Sequence, residues 1–146
     1  MERKDIFDRI MAWPVLRIFE PFYRKYKEQL LYLFFGALTA FLTLFVFWLC
    51  AKAMPPLLAN VIAWIAGVIF AYVTNRIWVF NSRSASIAAE FLAFCGGRLA
   101  TLGMEELVLW LGISVLHGNI MLVKTIAQVL VIVGNYAVSK WFVFKD

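Results

Sequence analysis

Four long apolar runs, set apart by short polar breaks, dominate the chain. They cover about Leu30 to Ala51, Leu57 to Phe80, Ile87 to Leu116 and Ile120 to Phe144. Each is long enough to cross a hydrocarbon layer of roughly 30 Å, which takes about 20 helical residues. The pattern predicts an all-α integral membrane protein, a bundle of four transmembrane helices. In the first run Gly36, Ala37, Thr39, Ala40 and Thr43 lie among Leu and Phe, and small residues of this kind let helices approach closely in lipid. The breaks have different characters. Lys52-Ala53-Met54-Pro55-Pro56 is short and carries one charge, as an external hairpin should. Asn81-Ser82-Arg83-Ser84-Ala85-Ser86 is polar and belongs on the cytoplasmic side, and His117-Gly118-Asn119 is a second external turn.

Residues 1–29 are patterned differently. Arg3, Lys4, Arg9, Arg17, Arg24, Lys25 and Lys27 alternate with Ile6, Phe7, Ile10, Met11, Trp13 and other large apolar residues, and Pro14 and Pro21 are expected to cut the stretch into short pieces. Ile6, Phe7, Ile10 and Met11 share one helical face, which suits an amphipathic segment in the headgroup layer; a plain topology signal with a loose tail fits the same residues. Either way the positive charge marks the cytoplasmic side. With four spans, both termini are then cytoplasmic, and the organisation is an interfacial segment, 1–29, followed by a transmembrane domain, 30–146. No cleavable signal peptide is expected, because the first apolar run starts only after this charged stretch.

Composition and charge agree with that class. Of 146 residues 64% are hydrophobic, against roughly 45–50% in soluble domains, and the mean hydropathy is +0.83. The formal charge of +5 gathers at the ends of apolar runs. It therefore points to membrane orientation and anionic headgroups, with no nucleic-acid partner expected. Cys50 and Cys95 are expected at different depths, which disfavours a disulfide between them.

The second and fourth runs end alike. Asn75-Arg76-Ile77-Trp78-Val79-Phe80 is answered by Ser139-Lys140-Trp141-Phe142-Val143-Phe144, with Tyr72 and Tyr136 at matching places before them. Each half contributes one outgoing and one returning helix, so the expected architecture is two parallel hairpin repeats. The first and third runs echo each other weakly, Phe34, Gly36 and Ala40 against Phe94, Gly96 and Ala100.

Charged and polar residues inside the runs need a reason, because a charge at such depth costs several kcal/mol unless paired or hydrated. Arg98, Glu105 and Glu106 interrupt the third run just after Gly96 and Gly97, while Lys124, Gln128 and Asn135 lie in the fourth. Metal binding is not expected: His117 stands in a turn with no ligand at helical spacing. No phosphate-binding glycine loop, nucleophile elbow or dinucleotide fingerprint occurs, and Glu105 and Glu106 point about 100° apart on a helix. Neither catalysis nor a cofactor is expected. What remains is a graded series of cations: Arg76 and Lys140 at the inner boundary, Arg98 part-way in, Lys124 and Lys52 toward the outer boundary. A phosphate crossing between leaflets needs such stations, because an unpaired anion in hydrocarbon is prohibitively costly. Plainer readings fit some of the same residues. Arg76 and Lys140 with Trp78, Phe80, Trp141 and Phe144 also make snorkelling anchors in an interfacial aromatic belt. Arg98 also suits an interhelical pair with Glu105 or Glu106, and Gln128 and Asn135 also bridge helices.

The paired endings, with Gly97-Arg98-Leu99-Ala100-Thr101-Leu102-Gly103-Met104-Glu105 and Lys124-Thr125-Ile126, resemble the GtrA-like family of small four-helix membrane proteins. Within it they resemble most the branch of GtcA-type proteins of Gram-positive cell-wall glycosylation. The resemblance covers about Tyr32 to the C-terminus. It implies translocation of a polyprenyl-phosphate-linked monosaccharide, typically on undecaprenyl phosphate, from the inner to the outer leaflet of the bacterial plasma membrane for polymer decoration such as that of teichoic acid. Arg76 matches the family's basic position directly, while Lys140 stands where many relatives carry arginine. On this reading Arg76, Lys140, Arg98, Lys124, Asn75, Asn135 and Gln128 meet the phosphate or sugar, and Glu105 or Glu106 balances Arg98 in the empty state. A glycosyltransferase is the expected protein partner, and a homodimer would supply further helices. Two other functions stay open: an anchor or scaffold for a polyprenyl-phosphate glycosyltransferase, and a small multidrug-type exporter. The exporter normally needs a membrane carboxylate, which the first run lacks.

Overall fold

The computed structural model describes residues 6–144; Arg3, Lys4 and Lys145 lie outside the described residues. All regular structure among the described residues is helical. Four helical stretches are long and apolar enough to cross a membrane: Arg17–Cys50, Leu58–Val79, Ile87–Val115 and Ile120–Val143. The chain divides into two compact units, Met1–Asn81 and Ser82–Asp146, and each is a helical hairpin.

In the first unit α1 (Ile6–Met11) and a short 3-10 turn (Arg17–Phe19) precede α2 (Glu20–Cys50) and α3 (Pro56–Thr74), which is continued by a π-helical turn, Asn75–Val79. α2 begins ten residues before the apolar run at Leu30. Pro21 was expected to cut this region, but it sits in the first turn of α2, where proline has no intrahelical N–H bond to lose and its fixed φ favours helix. The interruption lies at Tyr26 instead (φ −118°, ψ 20°). α1 is held to α2 at two points. The Phe7 ring meets Phe34 and Phe35 edge-on at 5.8 and 5.7 Å, and Lys27 Nζ donates to Asp8 Oδ2 at 2.8 Å. Ile6, Trp13, Val15, Ile18 and Phe19 are left exposed.

α2 and α3 pack through small residues, and of the set expected on α2 Thr39 and Thr43 lie at the contact. Gly36, Ala37 and Ala40 are exposed. The close approach runs along α3, where Ala59, Ala63, Gly67 and Ala71 recur every four residues and all are buried. Such a stripe lets a neighbouring backbone come near. A Cβ at Gly67 would collide with the Thr43 hydroxyl and touch Thr39. Thr39 and Thr43 keep their own hydroxyls bonded one turn back, to the Phe35 and Thr39 carbonyls at 2.8 and 2.9 Å.

The second unit comprises α4 (Ile87–Leu109), extended by a π-turn Trp110–Val115, and α5 (Ile120–Val138), extended by a π-turn Ser139–Val143. Between them His117 takes a left-handed conformation (φ 51°), and Gly118 N–H donates to the Gly112 carbonyl at 2.8 Å. Asn119 caps α5, its Oδ1 accepting from Leu122 N–H at 3.1 Å, which satisfies one of the free donors of the first turn. Glycines set the antiparallel register. Gly97 leaves room for Val138, Gly112 for Val123, and Gly134 for Met104 and Thr101.

Candidate functional site

The twin endings recognised in the sequence share a backbone device. Asn75–Val79 and Ser139–Val143 are both five-residue π-turns, each closed by a phenylalanine amide: Phe80 N–H donates to the Asn75 carbonyl and Phe144 N–H to the Ser139 carbonyl, both at 2.8 Å. In each, the second residue is basic and reaches back one turn to a tyrosine hydroxyl. Arg76 Nη1 lies 3.3 Å from Tyr72 Oη, and Lys140 Nζ lies 3.3 Å from Tyr136 Oη. Both basic residues are half-buried, whereas Asn75 and Ser139 beside them are buried, as are Val79 and Val143. π-helical turns are rare in proteins; a third one here, Trp110–Val115, closes α4 without a basic residue.

The aromatic surroundings differ between the units. Trp78 stacks on Phe35 (5.4 Å, 18°) and Phe80 lies 6.5 Å from Tyr32. In the second unit Phe144 is buried with its ring 6.0 Å from Phe94, while Trp141 is exposed. Of the four aromatics expected in an interfacial belt, Phe144 thus lies in the protein interior, because Phe94 on α4 packs against it.

The polar residues of spans three and four fall at successive levels of the α4–α5 hairpin. Arg98 lies midway along the 23 residues of α4, half-buried, with its guanidinium carbon 5.1 Å from the centre of the Phe94 ring. Among the described residues Arg98 makes no ion pair. One turn on, the Thr101 hydroxyl donates to Asn135 Oδ1 at 2.7 Å, and it also lies 3.0 Å from the Arg98 carbonyl. Both Thr101 and Asn135 are buried, and such an interhelical bond in lipid contributes about 0.6 kcal/mol, at most about 1.7. One turn further, Glu105 Oε1 accepts from Lys124 Nζ at 2.6 Å. Glu105 therefore pairs with Lys124 and not with Arg98; seven residues along one helix separate Arg98 and Glu105 by about 10 Å. Glu106 and Gln128 are exposed. Lys52, grouped with the outer cations, sits 3.3 Å above the Trp48 ring.

One residue was missed in the sequence. Glu90, in the first turn of α4, is buried and accepts from the Ser82 hydroxyl at 2.5 Å, tying the Asn81–Ser86 loop to the helix. A carboxylate at a helix N-terminus is favoured by the helix dipole; the available signal was an acid in a first turn preceded by a serine-rich loop. Among the described residues no three His, Cys, Asp or Glu side chains group as a metal ion requires.

Two hairpin units, four apolar spans and a matched pair of cationic helix ends define a small multi-pass membrane protein. A family model described as the GtrA/DPMS transmembrane domain matches residues 31–144, and the chain belongs to that family. It is 39% identical over 121 residues to the cell wall teichoic acid glycosylation protein GtcA of Listeria monocytogenes serovar 1/2a (strain ATCC BAA-679 / EGD-e), covering 80% of this chain and 83% of that one. The protein of the same name from Listeria innocua serovar 6a (strain ATCC BAA-680 / CLIP 11262) is 38% identical over the same shares. The uncharacterized membrane protein YwcD of Bacillus subtilis (strain 168) is 31% identical, over 79% of this chain and 94% of its own. No solved structure matches. With bacterial relatives and four candidate spans, the chain is a multi-pass bacterial membrane protein.

Proposed function

We propose that the protein moves a polyprenyl-phosphate-linked monosaccharide, on undecaprenyl phosphate, from the inner to the outer leaflet, where the sugar decorates a cell-wall polymer such as teichoic acid. The observation that carries this reading is Arg98, a guanidinium midway along an apolar helix, against an aromatic ring and without a carboxylate partner among the described residues. A cation in that position is costly unless an anion is meant to join it, and a guanidinium fork fits the two oxygens of a phosphate. The names of two Listeria relatives, which place them in teichoic acid glycosylation, support the polymer.

On this reading Arg76 and Lys140 each offer a phosphate contact at the cytoplasmic end of their span, with Asn75 beside Arg76. Arg98 receives the phosphate within the α4–α5 hairpin, and Asn135, Gln128 and Lys124 line the onward course. The polyprenyl tail stays in lipid, so no large cavity is needed, and no covalent bond changes. A glycosyltransferase supplies or consumes the sugar lipid on either side.

Reconstitution tests the reading. The purified chain is placed in vesicles with a short-chain polyprenyl phosphohexose, and access of an impermeant sugar oxidant reports movement between leaflets. Protein-dependent movement that is lost in Arg98→Gln is expected. A folded wild-type chain that moves none of the lipid would refute the proposal and favour a scaffold for a glycosyltransferase.

A further inference from the structure

Lys124 points the unusual way. A lysine near the end of a membrane helix ordinarily extends its ammonium toward the headgroups. The hairpin register, with Gly112 against Val123 and Gly134 against Thr101, puts Lys124 opposite about residue 111, while its partner Glu105 lies six residues farther from the turn, about 9 Å along the axis. The 2.6 Å ion pair therefore draws the ammonium inward, toward the level of Arg98. Glu105 is the more enclosed partner, its side chain 14% exposed against 53% for Lys124. It behaves as a resident anion on a face otherwise supplied with two cations.

The charge count decides what that face will accept. Arg98 and Lys124 contribute two positive charges and Glu105 removes one, leaving one; Glu106, exposed and about 100° around the helix, lies off this face. A phosphodiester carries one negative charge. A phosphomonoester carries about 1.5 to 2 at neutral pH, because its second pKa is about 6. We infer that Glu105 is a specificity-determining residue, which matches the α4–α5 face to the monoanionic phosphodiester of a sugar-bearing lipid and sets it against the dianionic monoester of the bare carrier. This rests on the proposed function, and it adds a reason for the protein not to be occupied by the carrier once the sugar has been removed.

The experiment compares two probes on the purified full chain at pH 8, a short-chain polyprenyl monophosphate and the same prenol phosphohexose, with dissociation constants read by tryptophan fluorescence. Glu105→Gln is expected to strengthen monoester binding relative to diester on the order of tenfold, the effect of one extra charge at this range in a medium of effective dielectric about 20. Glu105→Asp keeps the charge and should keep the wild-type ratio. The double variant Glu105→Gln with Lys124→Gln has the wild-type net charge and should return to that ratio. An unchanged ratio in Glu105→Gln, or an equal shift in Glu105→Asp, would overturn the inference while leaving the proposed function standing. If the folded wild type binds neither lipid, both fall.

Discussion

Replacing Arg98 with leucine separates a functional arginine from a structural one. At the centre of a membrane helix, arginine is unfavourable by roughly 2.5–3.5 kcal/mol and leucine favourable by about 0.5 on an insertion scale, so the exchange gains about 3–4 kcal/mol. Against this stands the contact with the Phe94 ring, worth about 1 kcal/mol and up to about 2 when desolvated. No salt bridge is broken, since among the described residues Arg98 has none. The variant should therefore be more stable than wild type by about 1–3 kcal/mol while losing lipid translocation. Thermal unfolding in detergent, followed by fluorescence-detected size exclusion, reads the first quantity, and the vesicle assay reads the second. Destabilisation by more than about 2 kcal/mol would refute the reasoning, because Arg98 would then be holding the hairpin together.

Other expectations follow from the packing. Gly97→Ala places a Cβ 2.6 Å from Val138 and should cost about 1–3 kcal/mol, whereas Gly96→Ala, with nothing within 4 Å, should be tolerated; unfolding temperatures of the two variants check this contrast. Asn135→Ala removes the bond to Thr101, whose hydroxyl keeps its backbone acceptors, so a stability loss of about 0.5–1.7 kcal/mol is expected in the same assay. Phe7→Ala abolishes two edge-on ring contacts worth about 0.5–1.5 kcal/mol each, and it should speed tryptic cleavage after Arg9 and Arg17.

The spans were legible in the chain because burial in lipid demands continuous apolar length, and no loop here is long enough to confuse them. The ends were less legible. α2 starts at Glu20 because a proline in a first turn promotes helix, and composition alone does not distinguish that position from a break. The twin motifs could be read as letters, but the π-turns beneath them depend on which carbonyl each amide selects, as Phe80 and Phe144 do. The small residues of α2 and the stripe at spacing four on α3 were both visible as letters, but composition does not tell which face meets a partner: Thr39 and Thr43 lie against Gly67, while Gly36, Ala37 and Ala40 stay exposed. The Lys124–Glu105 pair joins residues 19 apart and needs the hairpin register, which Gly112 and Gly134 set and no local pattern reveals.

The length of α2 has a consequence for the bilayers this protein can inhabit. Its 31 residues extend about 46 Å, well beyond the roughly 30 Å of a hydrocarbon core. A rigid rod of that size would have to tilt or deform the lipid around it when thickness changes. The break at Tyr26 divides the rod near one end and leaves the arm from Lys27 to Cys50, about 36 Å of helix, a length that a hydrocarbon core of roughly 30 Å accommodates with modest tilt.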